Sequence, residues 1–265
     1  MGWISRILGF EQQEPAETGR APAPAAEPPL VEPGPGRTVY AIGDIHGRAD
    51  LLSDLLRQIG AELEPDRDNV VVYLGDYIDR GEQSRDVIDL CRETPDRLGT
   101  PTVFLRGNHE QAMLDFLDDP AMGAAWLRFG GLATLMSYGV RDISEQMPPE
   151  RLARAAEQLN QNLPDDHRRF LEATIIRHRI GNLCLCHAGV NPERSPENQT
   201  ESTLLWGQDA DAPPPEWPLT VVQGHVVVDR PTLSRRRINV DTGAYFSGRL
   251  TAARIRDGEI GFLQT

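Results

Sequence analysis

The 265-residue chain contains no lysine: all 27 basic residues are arginine, set against 40 acidic ones, for a net charge of −13. The sequence pI is near 4.9. The chain therefore lacks the basic footprint that a nucleic-acid backbone requires, which argues against nucleic acid as its main partner. A local cationic site inside the acidic shell stays open. Arginine can hold phosphate or carboxylate through two parallel hydrogen bonds, although the plain reading of the missing lysine is a GC-rich coding bias. Cysteine is also scarce. Cys91, Cys184 and Cys186 form an odd, low set, which speaks against a disulfide framework and for a reducing, cytoplasmic setting. Cys184 and Cys186 stand inside the apolar run LCLCHAG. Free cysteine is among the most buried residue types, so the run reads as buried strand rather than as a metal or redox pair. No stretch approaches the roughly 18 uninterrupted apolar residues of a membrane span.

The first ten residues, MGWISRILGF, lack the length and cleavage site of a secretory signal. Arg6 also stands where a myristoylation pattern wants Ser or Thr. They read as a frayed terminus, with a weak amphipathic membrane contact as the alternative. Residues 11–36 are rich in Pro, Ala and Glu, a composition that cannot bury enough apolar area to offset chain entropy. The expected organisation is a disordered tail over 1–36 and one catalytic domain over 37–265.

From Arg37 the texture changes. TVYAIGD, NVVVYLGD and PTVFLRGN are apolar, β-branched runs that end in Gly and a polar residue. Between them, Leu51, Leu52, Leu55, Leu56 and Ile59, then Val87, Ile88 and Cys91, recur at helical spacing. Strand–helix alternation implies parallel strands with right-handed crossovers. Ligands of such sheets gather beyond the carboxyl ends of the strands. Residues from about 111 to 175 read as a helical insertion. Strand texture then returns in LCLCHAG, LTVVQGH, RINVDTG and a final pair around Asp257-Gly258, a hairpin signal. The expected fold is α/β, with two sheets and outer helices.

The strand tips present Asp44-Ile45-His46, Asp76 in GDYIDRG, Asn108-His109 in GNHE, His187 in CHAG and His225 in QGH. Residues i and i+2 of an extended segment face the same way, so Asp44 and His46 are expected to bite one ion together. A lone Asp at a strand end is usually a turn former, and a lone His is usually a surface or core residue. Five tips with one grammar are harder to dismiss. Mixed carboxylate, imidazole and amide-oxygen ligation suits borderline and hard divalent ions.

These motifs, GDIHG, GDYIDRG, GNHE, HAG and the late GH, resemble the phosphoprotein phosphatase family of metallophosphoesterases over about 37–256. INVDTGAYFSGRLTAARI and WLRFGGLATLMSYGV resemble its bacterial serine/threonine phosphatases. The resemblance implies a sandwich of two mixed β-sheets flanked by helices. It implies that Asp44, His46 and Asp76 hold one metal, and that Asp76, Asn108, His187 and His225 hold a second, with Asp76 bridging. His109 would be the general acid, oriented by Asp79. Arg80 would bind phosphate oxygens, and Asn108 would sit beside the substrate. Two divalent ions would serve, Mn²⁺ in vitro, with Fe or Zn²⁺ as alternatives. One departure stands out: Gln208 occupies a place where bacterial relatives usually carry arginine. Arg249, or the run Arg235, Arg236 and Arg237, could compensate.

The expected activity is hydrolysis of phosphomonoesters, by water activated between the two ions and attacking phosphorus in line. A phosphorylated protein is the leading substrate, and a small phosphoester the other. Uncatalysed phosphomonoester hydrolysis is among the slowest reactions known, with enzymatic accelerations up to about 10²¹. The rival readings are a symmetrical dinucleoside tetraphosphate hydrolase and an inactive phosphoprotein-binding scaffold. GDYIDRG favours the protein-phosphatase side of the resemblance, and a paired His109 and Asp79 argue against a scaffold.

Overall fold

The computed structural model describes residues 30–265. Residues 1–10, read as a frayed terminus with membrane contact as the alternative, lie outside the described residues.

Two mixed sheets face each other. The first has the order β10-β9-β1-β2-β3, built from β1 (Arg37–Ile42), β2 (Asp68–Tyr73), β3 (Thr102–Phe104), β9 (Thr251–Arg256) and β10 (Glu259–Gln264). The second has the order β4-β5-β6-β8-β7, built from β4 (Arg177–Ile180), β5 (Leu183–Cys186), β6 (Thr220–Gln223), β7 (Thr232–Ser234) and β8 (Arg237–Asn239). In each sheet three neighbouring strands run parallel: β1, β2 and β3 in the first, where β9 and β10 add antiparallel beyond β1 and β3 is the other edge, and β5, β6 and β8 in the second, where antiparallel β4 and β7 close both flanks.

Strand alternation sorts the apolar residues into separate cores. On β1 and β2, Tyr40, Ile42, Val71 and Tyr73 face the helices, with Leu52, Leu55, Leu56 and Ile59 of α1 (Ala49–Glu62) and Val87, Ile88 and Cys91 of α2 (Ser84–Leu98). Val39, Ala41, Val70 and Val72 face the second sheet and meet Leu183, Leu185, Val222 and Ile238. Cys184 and Cys186 point to the other side of β5, into a third cluster with Val190, Leu204 and Trp217. Both thiols are buried and free, as the strand reading expected.

The helical insertion falls between β3 and β4. It comprises α3 (Asn108–Asp118), a 3₁₀ turn at Pro120–Met122, α4 (Gly123–Trp126), a wide turn at Leu127–Gly131, α5 (Leu132–Ser137), α6 (Pro149–Asn162) and α7 (Asp165–Ala173). Helices α8 (Glu201–Trp206) and α9 (Ala244–Ser247) follow later. His167, left outside the site by the sequence, is a satisfied core residue bonded to Tyr138 (2.9 Å) and Asp89 (2.8 Å).

One boundary differs from expectation. The stretch read as tail through 36 is packed from Leu30 onward. Val31 is fully buried between the sheets. Glu32 donates its backbone N–H to Asn182 Oδ1 at 2.6 Å, and the Leu30 carbonyl accepts from Thr220 Oγ1 at 2.7 Å. Two buried residues, Val31 and Pro33, together with the backbone bonds, anchor an otherwise Pro-rich segment.

Candidate active site and metal centre

The loops after β1, β2, β3, β5 and β6 bring Asp44, His46, Asp76, Asp79, Arg80, Asn108, His109, His187 and His225 to the same rim of the sandwich. The backbone there is unusual. His46, Asp76, Asp79, Arg80 and His225 all have left-handed φ, between 47° and 72°. Non-glycine residues in this region carry strain of about 1–3 kcal/mol each, sustained only where surroundings over-determine them. The surroundings are visible. The N–H groups of Ile45 and His46 both bond the Asp76 carbonyl, and Gly81 N–H bonds the His46 carbonyl.

That geometry corrects the expected reason for the Asp44–His46 pairing. Strand β1 ends at Ile42, and His46 has φ 47°, so the two residues do not share the face of an extended segment. A turn aims them separately. The His46 ring faces Asp76, whereas the Asp44 carboxylate accepts the His225 N–H at 3.0 Å. Residue 224 must be glycine for this contact, because a Cβ there would fall 1.9 Å from Asp44 Oδ1. Burial and then the Asp241 charge raise the Asp44 pKa well above the carboxylate range.

Two donor clusters share Asp76. One groups His46, Asp76 and His109; the other groups Asp76, His187 and His225. Asp76 Oδ2 lies 3.5 Å from His46 Nε2, and its Oδ1 lies 3.4 Å from His187 Nε2. The tautomers follow from fixed acceptors. His46 Nδ1 donates to the Ile78 carbonyl and His187 Nδ1 to the Leu74 carbonyl, each at 2.9 Å. A neutral ring at either position then presents its Nε2 lone pair to the centre. For His187 that lone pair meets Asn108 Oδ1 at 2.9 Å and His225 Nδ1 at 3.1 Å. Acceptor against acceptor is repulsive unless a proton or a cation lies among them.

The electrostatics agree. Burial pulls His187 down, but the Asp76 carboxylate outweighs it and drives the imidazole up to about 10. Burial and the neighbouring His187 push His225 down to about 3. Both shifts come from the same buried carboxylate and imidazoles crowding one point. Three imidazoles, two carboxylates and one amide oxygen fit divalent ions of the borderline or hard kind.

His109 sits beside this centre at the first turn of α3. Its Nδ1 bonds Asp79 Oδ2 at 2.6 Å. Burial lowers its pKa, the charges of Asp76 and Asp79 raise it, and the net shift is upward. Arg80 reaches His46 Nε2 (2.9 Å) and His109 Nε2 (3.2 Å), and lies over the Tyr245 ring at 5.0 Å. A cleft of about 780 Å³ opens from these groups, walled on its far side by Phe129, Leu205 and Gln208.

Several participants escaped the sequence reading. Glu110 is fully buried and accepts the N–H groups of Asp76 (2.9 Å), Tyr77 (2.8 Å), Ile78 (3.3 Å) and Gly107 (2.8 Å). It ties the β2 loop to α3. Burial and the Asp76 charge raise its pKa to about 7. A Glu at the third helical position after Gly107 is a capping-box signal that could have marked it. Asp241 follows β8 in an Asp-Thr-Gly turn and accepts Gly243 N–H at 2.9 Å. The proposed stand-ins for a second arginine lie elsewhere. Arg249 donates to the Asp229 carbonyl at 3.1 Å, Arg236 to the Pro215 carbonyl at 2.9 Å, and none of Arg235, Arg236, Arg237 or Arg249 lines the cleft.

Known proteins resemble the chain throughout this region. It is 27% identical over 244 residues to the asymmetrical bis(5'-nucleosyl)-tetraphosphatase of Halalkalibacterium halodurans, covering 82% of this chain and 90% of that one. It is 29% identical over 240 residues to serine/threonine-protein phosphatase 1 of Salmonella typhimurium, covering 83% and 93%. Among solved structures, a protein serine/threonine phosphatase from Saccharomyces cerevisiae superposes with a TM-score of 0.54 at 16% identity, covering 90% of this chain and 84% of that one, a likeness of fold. The family model for calcineurin-like phosphoesterases matches residues 37–244, most of the chain, and the protein belongs to that metallophosphoesterase family, whose members use divalent metals.

Proposed function

We propose that the protein is a metal-dependent phosphomonoester hydrolase acting on phosphoserine or phosphothreonine in proteins, with residues 37–265 and the packed stretch from Leu30 as its catalytic unit. The observation that carries this reading is the buried His109–Asp79 pair, placed at the cleft beside Arg80 and two donor clusters that share Asp76. Asp44, His46 and Asp76 would hold one ion; Asp76, Asn108, His187 and His225 would hold the other. When bound, such ions lower the pKa of water and neutralise charge on phosphoryl oxygens. The protein's own groups do the rest. Arg80 presents its guanidinium to the remaining phosphoryl oxygens, and Asn108 borders the same cleft. His109 gives a proton to the departing alkoxide, a contribution of about 10²–10⁴-fold in general acid–base catalysis. Asp79 holds its ring in place.

Hydrolysis of dinucleoside tetraphosphates is the second reading. It is favoured by the width of the cleft and by the name of the Halalkalibacterium relative, which specifies the asymmetrical activity rather than the symmetrical one weighed as the rival from sequence. Charge favours the monoester. Of the residues lining the cleft, Arg80 is the single arginine, Glu201 is acidic, and Gln208 offers a neutral amide that already accepts the Ser202 hydroxyl. A chain of four phosphates calls for more cationic partners than this. The test is turnover of a phosphoserine peptide and of diadenosine tetraphosphate, side by side, with Mn²⁺, Fe²⁺ or Zn²⁺ supplied. The proposal expects the higher kcat/KM on the peptide; a higher value on the tetraphosphate overturns it.

A further inference from the structure

We propose that Trp126 and Thr134 of the helical insertion are positioning residues for proton delivery to the leaving group, acting through Asp79. The inference rests on the reading of His109 as general acid. Asp79 is fully buried and its carboxylate is held from three sides. Oδ2 accepts both His109 Nδ1 (2.6 Å) and the Trp126 indole N–H (2.7 Å), while Oδ1 accepts the Thr134 hydroxyl at 2.5 Å. The same hydroxyl accepts the Asp79 backbone N–H at 2.9 Å, which supports the left-handed φ of 72° at that residue.

The insertion's own donors, Trp126 on Oδ2 and Thr134 on Oδ1, come from two different helices and fix the plane of the carboxylate as well as its position. A carboxylate bonded to His109 alone could rotate about its last side-chain bond and carry the imidazole with it. Trp126 cannot follow such a rotation. It is 1% exposed, its ring packs on Phe116 at 5.1 Å between centroids, and Gly131 lies so close that a Cβ there would fall 2.5 Å from its Cε2. The insertion thus sets the direction in which His109 Nε2 points. In the step served, a water oxygen bonds to phosphorus as the P–O bond to the leaving oxygen breaks, leaving its electron pair on that oxygen. The oxygen takes the Nε2 proton, the N–H pair stays on the ring, and neutral His109 keeps Nδ1–H on Asp79.

The leaving group separates this role from a merely structural one. A serine alkoxide needs the proton; p-nitrophenolate hardly does. The experiment measures kcat and KM of the metal-loaded enzyme on a phosphoserine peptide and on p-nitrophenyl phosphate, with bound metal and Tm recorded for each variant. Compared with wild type are His109→Ala, Trp126→Phe, Thr134→Val and Thr134→Ser. Trp126→Phe and Thr134→Val are expected to lose about 10- to 10²-fold in kcat on the peptide, the scale of a small misplacement of a reacting group, with KM and aryl turnover little changed. Thr134→Ser, which keeps the hydroxyl, is expected to stay near wild type. Thr134→Val is close to isosteric, so it carries the test if Trp126→Phe fails to fold. If His109→Ala discriminates between the substrates but Trp126→Phe and Thr134→Val lose equally on both, or lose nothing, the positioning role is overturned. If His109→Ala itself does not discriminate, the general-acid reading falls and this inference with it.

Discussion

Asp76 offers one carboxylate oxygen to each histidine cluster, 3.5 Å from His46 and 3.4 Å from His187. A neutral amide in its place removes charge from both clusters at once. Asp76→Asn is therefore expected to lower occupancy of both ions, by more than the 10–100-fold typical when only a partner of a ligand is lost. His225→Ala should deplete chiefly the cluster it belongs to. Elemental analysis after dialysis distinguishes them: near-complete loss for Asp76→Asn, partial loss for His225→Ala. Equal stoichiometry in the two variants would refute the shared role. At this scale the sequence was informative where chemistry is written contiguously, as in Asn108-His109, and misleading about Asp44 and His46, whose turn aims them apart. It was silent where a role depends on a partner far along the chain. Trp126 and Thr134 lie 47 and 55 residues from Asp79, and each looks like an ordinary helix residue in WLRFGGLATLMSYGV. Only the folded chain shows the bonds.

At the level of elements, the parallel strands were legible from their apolar runs, because a strand covered on both faces has no polar positions to spare. The interruption of the insertion was less so. Gly130-Gly131 punctuates a pattern that otherwise continues as helix, and the structure opens it into a wide turn with Gly130 at φ 107°. The reason lies across the cleft: the Gly130 carbonyl accepts the Arg80 N–H at 3.2 Å, stabilising the left-handed φ of 68° there. A Cβ on residue 130 would lie 2.8 Å from Arg80 N and Cγ. Gly130→Ala is thus expected to cost about 1–3 kcal/mol from strained backbone and to displace Arg80, lowering kcat/KM for phosphomonoesters. Gly99→Ala is the comparison. That glycine is also left-handed, at φ 61°, but faces open space, so its loss of Tm should come without loss of turnover. Thermal melts with kinetics on both variants decide it, and an unchanged kcat/KM in Gly130→Ala would detach the turn from Arg80.

The whole molecule depends on two sheets meeting across an apolar interface, and that interface reaches further toward the N-terminus than composition suggested. Composition averages over the many Pro, Ala and Glu of residues 11–36 and so hides Val31, buried with Ile180, Leu183 and Val222, and Pro33, buried two residues on. Burying a valine is worth about 1.5–3 kcal/mol. The segment adds backbone bonds, since Asn182 bonds Glu32 in both directions and also donates to the Leu30 carbonyl at 3.1 Å. Two truncations separate tail from core. Removal of residues 1–29 is expected to leave Tm and turnover of a small aryl phosphate unchanged. Removal of 1–36 should lower Tm by several degrees, at about 2–4 °C per kcal/mol for a domain of this size. Turnover at low temperature should survive even then, because residues 30–36 lie against the sheets and line no part of the cleft. Differential scanning calorimetry and steady-state kinetics on the two truncated proteins check both halves. Equal Tm values would place the stabilising boundary after residue 36, as composition alone implied. A lost kcat in the longer truncation with Tm unchanged would tie the N-terminal stretch to catalysis instead of to the sandwich.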